Sequence, residues 1–155
     1  MPTVLVVNLY YAPDTASTGR LLHELCAGLA SKGVDVHVLT GQPSYSGNVS
    51  EAPEIEILDG VHVHRLSTLT SNAKANFFTR ILSYVGFMSK AWFRATKIAK
   101  EERIDAVITV SNPPTVGLIG RRVARKLNVP FHYILFDIHP DAVEIARTVT
   151  IPLGV

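Results

Sequence analysis

The sequence lacks most of the features that would assign it quickly to a class of protein. It has a single cysteine, Cys26, so no internal disulfide can form, and a reducing compartment is expected. No run approaches the ~20 apolar residues of a membrane-spanning helix, and no basic segment of a signal peptide stands at the start. Charged residues make up only 18% of the chain and the net charge is +2, which gives no argument for a nucleic-acid partner. We therefore expect a cytoplasmic protein that does not bind nucleic acid.

Motifs that hold phosphate or metal are also missing. The stretch 10–19 has Gly19 as its only glycine, so it is neither a P-loop nor the Gly-x-Gly-x-x-Gly fingerprint, which disfavours a nucleotide-dependent oxidoreductase or epimerase. His62 and His64 lie two apart on one strand face and could bind metal as a pair, but no third ligand lies nearby in the sequence. A half-exposed strand face is the favoured interpretation, and we expect neither a metal nor a cofactor. Cys26 lies among leucines and is interpreted as a core residue.

Apolar residues, in contrast, are abundant and make up 47% of the chain. Many of them lie in short runs rich in β-branched residues, and these runs alternate with segments of helical spacing. This predicts an α/β fold: a Rossmann-like parallel sheet with helices on both faces, plus a β-hairpin whose Asp59-Gly60 pair suits a type I′ turn. Predicted strands are Val4–Leu9, Val34–Thr40, Glu54–Leu58, Val61–Leu66, Asp105–Val110 and Val129–Phe136, and predicted helices are Arg20–Lys32, Ala75–Lys100 and Thr115–Asn128.

Polar loops follow the predicted parallel strands. Ser111–Thr115 and Asp137–Asp141 both lie at the carboxyl ends of strands, where ligands bind in such sheets, so we expect the chemistry there. The stretch 10–19 opens a helix, whose free amides attract phosphate. An ordinary turn capped by a side chain is the favoured alternative on spacing alone, with Asp14, Thr15, Ser17 or Thr18 as the cap.

The predicted helix Ala75–Lys100 has two interpretations. One is a core-packed helix with a solvated basic face, which is slightly favoured, and the other is a helix that contacts an anionic membrane surface. The apolar face contains Phe77, Ile81, Tyr84, Val85, Met88, Trp92, Ala95 and Ala99. The basic stripe contains Arg80, Ser83, Lys90, Arg94 and Lys97, with Phe87 inside it, and Arg80, Phe87, Lys90 and Arg94 are the predicted membrane contacts.

Several short motifs in order resemble the opening of a family 4 glycosyltransferase of the GT-B type. They are Tyr11–Thr15, the helix Arg20–Ala30, Gly33–Tyr45, the hairpin strand Val61–Leu66, Ser111–Pro114 and Asp137–Asp141. The similarity runs along essentially the whole chain. The subgroup that the motifs resemble most is the bacterial transferases of surface-polysaccharide assembly, of the colanic acid and O-antigen type.

The resemblance implies a retaining transfer of a sugar from a nucleotide-sugar donor to an acceptor, in a cleft between two Rossmann-like domains. It implies that residues 1–155 are the N-terminal, acceptor-side domain, without the C-terminal nucleotide-sugar domain, so that this piece alone is inactive. The acceptor is expected to be a glycan on a polyprenyl lipid at the inner membrane face. The implied catalytic residue is Asp137. Further implied sites are sugar binding by Ser111, Asn112, His139 and Asp141, and a donor-phosphate loop of Ala16, Ser17, Thr18 and Gly19.

This resemblance leaves one alternative open. A truncated domain could keep the fold without turnover and act as a binding module through its basic, aromatic helix. Asp137 has its own alternative role, because a carboxylate after a strand can cap the following helix.

Overall fold

The computed structural model describes residues 1–43, 52–67, 77–111 and 115–136, with side chains of its longest helix described from Val85 onward. Strands and helices follow one another in the predicted order. The strands are β1 Thr3–Val7, β2 Asp35–Gly41, β3 Ile55–Leu58, β4 Val61–Leu66, β5 Ala106–Val110 and β6 Phe131–Ile134, and the helices are α1 Ser17–Ser31, α2 Phe77–Glu101 and α3 Val116–Leu127.

The described strands form one six-stranded sheet in the order β3-β4-β2-β1-β5-β6. Neighbours pair in parallel except β3, which pairs antiparallel with β4. β1 lies at the centre, with Val7 opposite Leu39 on one side and Thr109 on the other. β6 begins later than predicted because Pro130 has no amide to donate to the ladder, although its carbonyl accepts from Val107 N. The predicted α/β fold is confirmed.

The sheet is covered on both faces, as alternation along its strands requires. One core cluster joins α1 to the sheet through Leu22 and Cys26, which pack with Val36, Val38 and Val61. The other joins α2 and α3 to the opposite face; it includes Leu5, Val7, Leu39, Phe87, Ala91, Ile98, Val107, Ile119 and Val123. Successive residues of β1 therefore belong to different clusters, which is the period-2 pattern of a fully buried strand.

Turn residues act as their types predict. Asp59 and Gly60 have φ of 49° and 78°, the positive values that a type I′ hairpin turn needs at both central positions. Gly33 has φ of 82° after α1, and the amide of Val34 donates to Leu29 O there. Asn128 ends α3 in the left-handed region, with φ of 56°.

The orientation of α2 corrects one prediction. Phe87, placed in the basic stripe and among the membrane contacts, is fully buried against the sheet, so that assignment is wrong. Val85, placed on the apolar face, is 55% exposed. The buried line runs through Phe87, Ala91, Ala95 and Ile98, where two alanines let the helix approach the sheet closely. Among the described helices, none combines the length and the apolar character needed to cross a membrane.

Candidate functional site at the carboxyl edge of the sheet

The strand order places a switch point between β1 and β5. From β1 the chain first builds outward through β2 to β4, and it then returns to add β5 and β6 on the other side. In such sheets the crevice outside the carboxyl ends at the switch point is where ligands bind. Asn8 follows β1 and Ser111 follows β5, so these two residues flank that crevice.

Asn8 is a site residue that the sequence analysis missed. It is fully buried, its Nδ2 donates to Tyr10 O at 2.7 Å, and its backbone amide donates to Leu39 O. Its Oδ1 is buried without a hydrogen-bond partner among the described residues. The signal available in the sequence was a polar residue inside the predicted apolar strand Val4–Leu9, and the structure ends that strand at Val7. A buried acceptor that lacks a donor at this edge is the kind of group that a ligand or an ordered water satisfies.

The start of α1 is the second part of the site. The helix begins without a side-chain hydrogen bond at its N-cap, Ala16, and without an acidic residue in its first turn. The predicted side-chain cap is therefore wrong. Asp14, which is 3% exposed, instead accepts from the amide of Ala16 at 3.4 Å. The carboxylate of Asp14 thus lies beside the N-cap amide, whereas no acidic residue lies in the first turn itself, where amides and the positive end of the helix dipole can face an anion.

The four residues assigned to the donor-phosphate loop lie at this helix start. Ser17 is exposed, whereas Ala16, Thr18 and Gly19 are buried. A Cβ on Gly19 would stand 3.3 Å from Tyr11 N, so the glycine lets the helix start pack closely on the loop that precedes it. The hydroxyl of Thr18 is buried and has no partner among the described residues.

Arg65 holds the first loop in place, a role that the sequence analysis missed. Its side chain is fully buried, and it donates to Ala12 O at 2.7 Å and to Pro53 O at 3.0 Å. It also pairs with Glu56 at 2.5 Å. The available signal was its position: Val61, Val63 and Arg65 alternate, so an arginine occupies a buried position of β4. A charge is tolerated there because carbonyls and a carboxylate surround it.

A polar chain supports the same loop from the α1 side. The Tyr11 hydroxyl lies 3.1 Å from His23 Nδ1, and His23 Nε2 lies 3.0 Å from Asp59 Oδ2. Burial raises the pKa of Tyr11 above its ordinary value. Burial also raises the pKa of Cys26 to about 12, which confirms that this thiol is a core group. Tyr11 and Cys26 therefore keep their protons at ordinary pH, and the chain of contacts from Tyr11 through His23 to Asp59 positions the loop.

Ser111 links the two predicted site loops. It is 2% exposed, and its hydroxyl accepts a hydrogen bond from Phe136 N at 3.2 Å. Its own amide donates to Ile134 O at 3.0 Å. The chain is thereby fixed at the residue directly before Asp137. Asn112, Asp137, His139 and Asp141 lie outside the described residues, as does the side chain of Arg80.

The remaining predicted surface residues lie on α2. Lys90 is exposed, and its Nζ donates to Ser67 O at 2.5 Å, which ties the helix to the end of β4. Arg94 is partly buried, with an amino group 3.3 Å from His64 Nδ1. Phe93 is 73% exposed on the same helix, and this aromatic side chain, not Phe87, lies on the solvent side.

Comparisons with known structures identify the fold. Sucrose-phosphate synthase from Thermosynechococcus elongatus matches with a TM-score of 0.67 and 15% identity, over 94% of this chain and 36% of that one. UGT2 of Phytolacca americana, complexed with UDP-2-fluoro-glucose and pterostilbene, matches with a TM-score of 0.52 and 16% identity, over 97% of this chain and 36% of that one. This chain thus spans about a third of each of the two proteins.

A third structure shows why the fold alone does not decide the function. The C-terminal domain of a hydrogenase from Pyrococcus furiosus matches with a TM-score of 0.59 and 17% identity, over 86% of this chain and 91% of that one. No curated protein matches the sequence. The family profile described as glycosyl transferase 4-like domain, however, matches residues 18–153. Because that match spans most of the chain, the protein belongs to the glycosyl transferase 4-like family, with the GT-B type of fold.

Proposed function

We propose that this chain is the acceptor-side domain of a retaining glycosyltransferase. It works with a second Rossmann-like domain that holds a nucleotide-sugar donor, and it receives a glycan acceptor carried on a polyprenyl lipid. The product belongs to cell-surface polysaccharide synthesis. Family membership supports the reaction class, and the observation that carries the site is the arrangement of the start of α1 and Ser111 at one switch point.

The geometry of the carboxyl edge suits the binding of a sugar diphosphate. The start of α1 offers backbone amides and a positive dipole end without a capping carboxylate in its first turn. Arg65 and the Tyr11–His23–Asp59 chain fix the loop, so these amides need little reorganisation when an anion arrives. The edge therefore takes part in phosphate binding opposite the donor domain.

Retention in this proposal requires positioning more than acid–base groups. The departing diphosphate accepts the proton of the acceptor hydroxyl on the face where the new bond forms, so no side-chain base is needed. Asp137 steadies positive charge at the anomeric carbon, one residue beyond the amide that Ser111 holds. The enzyme contributes orientation and a closed cleft, without a metal cofactor in the transfer step.

The test is transfer by a protein in which this domain is joined to its donor domain. Labelled nucleotide sugars are presented with polyprenyl-linked acceptors, and the Asp137→Ala variant is compared with Glu102→Gln, an exposed carboxylate after α2. We expect the first change to lower kcat by about 100-fold or more and the second to leave it unchanged. Equal turnover in both variants would remove the role of Asp137, and a wild type that transfers no sugar would remove the proposed function.

The proposal includes a peripheral contact with an anionic membrane, which the exposed face of α2 supports. Phe93 is 73% exposed between Lys90 and Lys97, which follow the same helix face at spacings of three and four residues. An aromatic ring flanked by two cations suits the interface of an anionic bilayer. The same face is the observation that favours the second candidate, a non-catalytic binding module that docks on a membrane.

Sedimentation with phosphatidylglycerol vesicles at low salt tests this contact. We expect Phe93→Ala combined with Lys97→Glu to abolish binding, because the change removes both the inserted ring and a cation. Lys32→Glu, a matched exposed lysine after α1 on the other face, is the control. A wild type that fails to sediment would contradict the membrane contact, and binding without any transfer activity would favour the binding module.

A further inference from the structure

The pairing of β2 with β4 gathers histidines that lie far apart in the sequence. His37 and His62 are direct register partners, and Asp35 and His64 flank them on the same face of the sheet. The rings of His37 and His62 stack with centroids 4.8 Å apart, and His37 also stacks on His64 at 5.7 Å. Asp35 and His37, which are distant from His62 in the sequence, therefore lie beside it in the sheet.

Three of these side chains have the spacing of a cation site. Asp35 Oδ2 lies 3.4 Å from His37 Nε2, and Asp35 Oδ1 lies 3.6 Å from His62 Nε2. The ligand atoms of all three residues lie within 4.8 Å of one another. Ligands bound tetrahedrally at the usual zinc–nitrogen distance stand about 3.3 Å apart. The two carboxylate–imidazole separations are already close to this value, whereas the two imidazole nitrogens have to approach each other.

We propose that Asp35, His37 and His62 form a binding site for Zn²⁺ or a divalent cation of similar preference. Two imidazoles and one carboxylate are ligands that zinc accepts, and they leave a fourth position for water. Because 44% of the His62 side chain is exposed, that position opens to solvent and the ion has a path of entry. Because the rings of His37 and His62 are stacked, binding requires His62 to turn until its lone pair converges with that of His37.

Hydrogen bonds through Arg94 and His64 determine which ring nitrogen of His37 carries its proton. Arg94 donates to His64 Nδ1, which leaves the proton of neutral His64 on Nε2, 3.4 Å from His37 Nδ1. His37 then accepts at Nδ1 and carries its proton on Nε2, facing Asp35. To bind a cation at Nε2, His37 takes its other neutral tautomer, in which the proton lies on Nδ1 and is donated to His64 Nε2 while Arg94 turns away from His64.

The site is separate from the transfer cleft. His62 lies near the amino end of β4, four residues or about 13 Å before the carboxyl end at Leu66. The proposed ion therefore clamps β2 to β4 and does not contact the reacting groups. Its expected effect is on stability, through preferential binding to the folded state.

Titration of the chain with Zn²⁺ alone, followed by calorimetry, tests the proposal. We expect one equivalent of Zn²⁺ to bind and the melting temperature to rise. His62→Gln should weaken binding by at least about tenfold, because loss of a direct ligand should lower the affinity at least as much as loss of a residue that only supports a ligand. Asp35→Asn is the second variant. His132→Gln removes an exposed histidine of β6 and is the matched control, expected to bind as the wild type does.

Cobalt gives a readout that a purely structural hydrogen-bond network would not produce. Co²⁺ added to the wild type and to His132→Gln should show the intense visible absorption of a tetrahedral ion, and this absorption should be lost in His62→Gln. The proposal is overturned if the wild type shows no saturable binding of Zn²⁺. It is equally overturned if His62→Gln and His132→Gln bind the ion alike while circular dichroism shows both folded.

Discussion

The two faces of strands β2 and β4 are built from opposite kinds of residue. Towards α1 the strands present Val36, Val38, Val61 and Val63, followed by the buried Arg65. Towards α2 the same strands present Asp35, His37, His62 and His64. The first face is closed by α1, whereas His62 on the second face is partly open to solvent.

Burial acts on both faces in the direction that keeps groups neutral. It raises the pKa of Cys26 on the α1 face and lowers the pKa of His64 on the α2 face. Arg65 is the exception, because one carboxylate and two carbonyls surround its guanidinium. The comparison shows that a closed face tolerates a charge only where several partners hold it, and that here those partners also fix the first loop.

The largest effect is expected from removing that charge. Arg65→Ala should lower the free energy of unfolding by about 3 kcal/mol, since Glu56 and the carbonyls of Ala12 and Pro53 lose their buried donor. Urea unfolding measures the change. Arg122→Ala, an exposed arginine of α3, is the control and should stay within about 0.5 kcal/mol of the wild type. Equal effects in the two variants would show that Arg65 does not hold the loop.

The next effect concerns alkaline pH. Burial raises the pKa of Cys26 from 9.0 to about 12, so the folded state keeps its proton where the unfolded state loses it. The stability from this group is therefore present below pH 9 and is lost as pH rises towards 12. Between neutral pH and about pH 10.5 the loss amounts to about 2 kcal/mol.

The Cys26→Ala variant isolates this contribution. Its free energy of unfolding should fall less steeply with rising pH than that of the wild type, by about 2 kcal/mol over the same interval. Burial also raises the pKa of Tyr11, and Cys26 adds to that rise, so its removal lessens the contribution of Tyr11 as well and acts in the same direction. If the two proteins lose stability in parallel, Cys26 does not titrate in the unfolding reaction.

The pattern of the sequence predicted the architecture because that information is local. Alternating apolar residues marked the strands, helical spacing marked the three helices, and Asp59-Gly60 marked the hairpin turn. Each of these signals comes from neighbours within a few residues, which set backbone preference and the face that is buried. The resemblance of short motifs to a transferase family then gave the family, which the match to residues 18–153 confirms.

What the sequence did not reveal depends on contacts between distant segments. The parallel register that sets His37 beside His62 joins strands separated by β3, and no local signal specifies it. The rotation of α2 was missed because Ala91 and Ala95 carry little hydrophobic signal, although both are fully buried in the core between α2 and the sheet. Arg65 was missed for a similar reason, since its carbonyl partners are backbone groups of other loops. The roles of Asp137, His139, Asp141 and Asn112 stay predictions.

A smaller loss of stability is expected at the carboxyl edge of the sheet, where one side-chain hydrogen bond joins Ser111 to Phe136. Ser111→Ala removes the acceptor for the amide of Phe136, which should cost about 1 kcal/mol. Ser89→Ala is the control, because within the described part of the chain the hydroxyl of this exposed residue bonds to Val85 O of its own helix. Chemical denaturation should separate the two variants. A Ser111→Ala protein as stable as the control would show that the two site loops are held by other contacts.

The smallest effect compares two glycines of α1, one at the carboxyl edge and one away from it. Gly28 has open space around a would-be Cβ, so Gly28→Ala should gain about 0.5–1 kcal/mol through reduced freedom of the unfolded chain. At Gly19 the added Cβ meets Tyr11 N at 3.3 Å and Tyr10 C at 3.4 Å, both backbone atoms of the loop that Arg65 holds. Because that backbone cannot give way freely, Gly19→Ala should gain nothing or lose a few tenths of a kcal/mol. The melting temperatures of the two variants test this difference. An equal gain in both would mean that the first loop moves readily, which would contradict a pre-formed anion site at the start of α1.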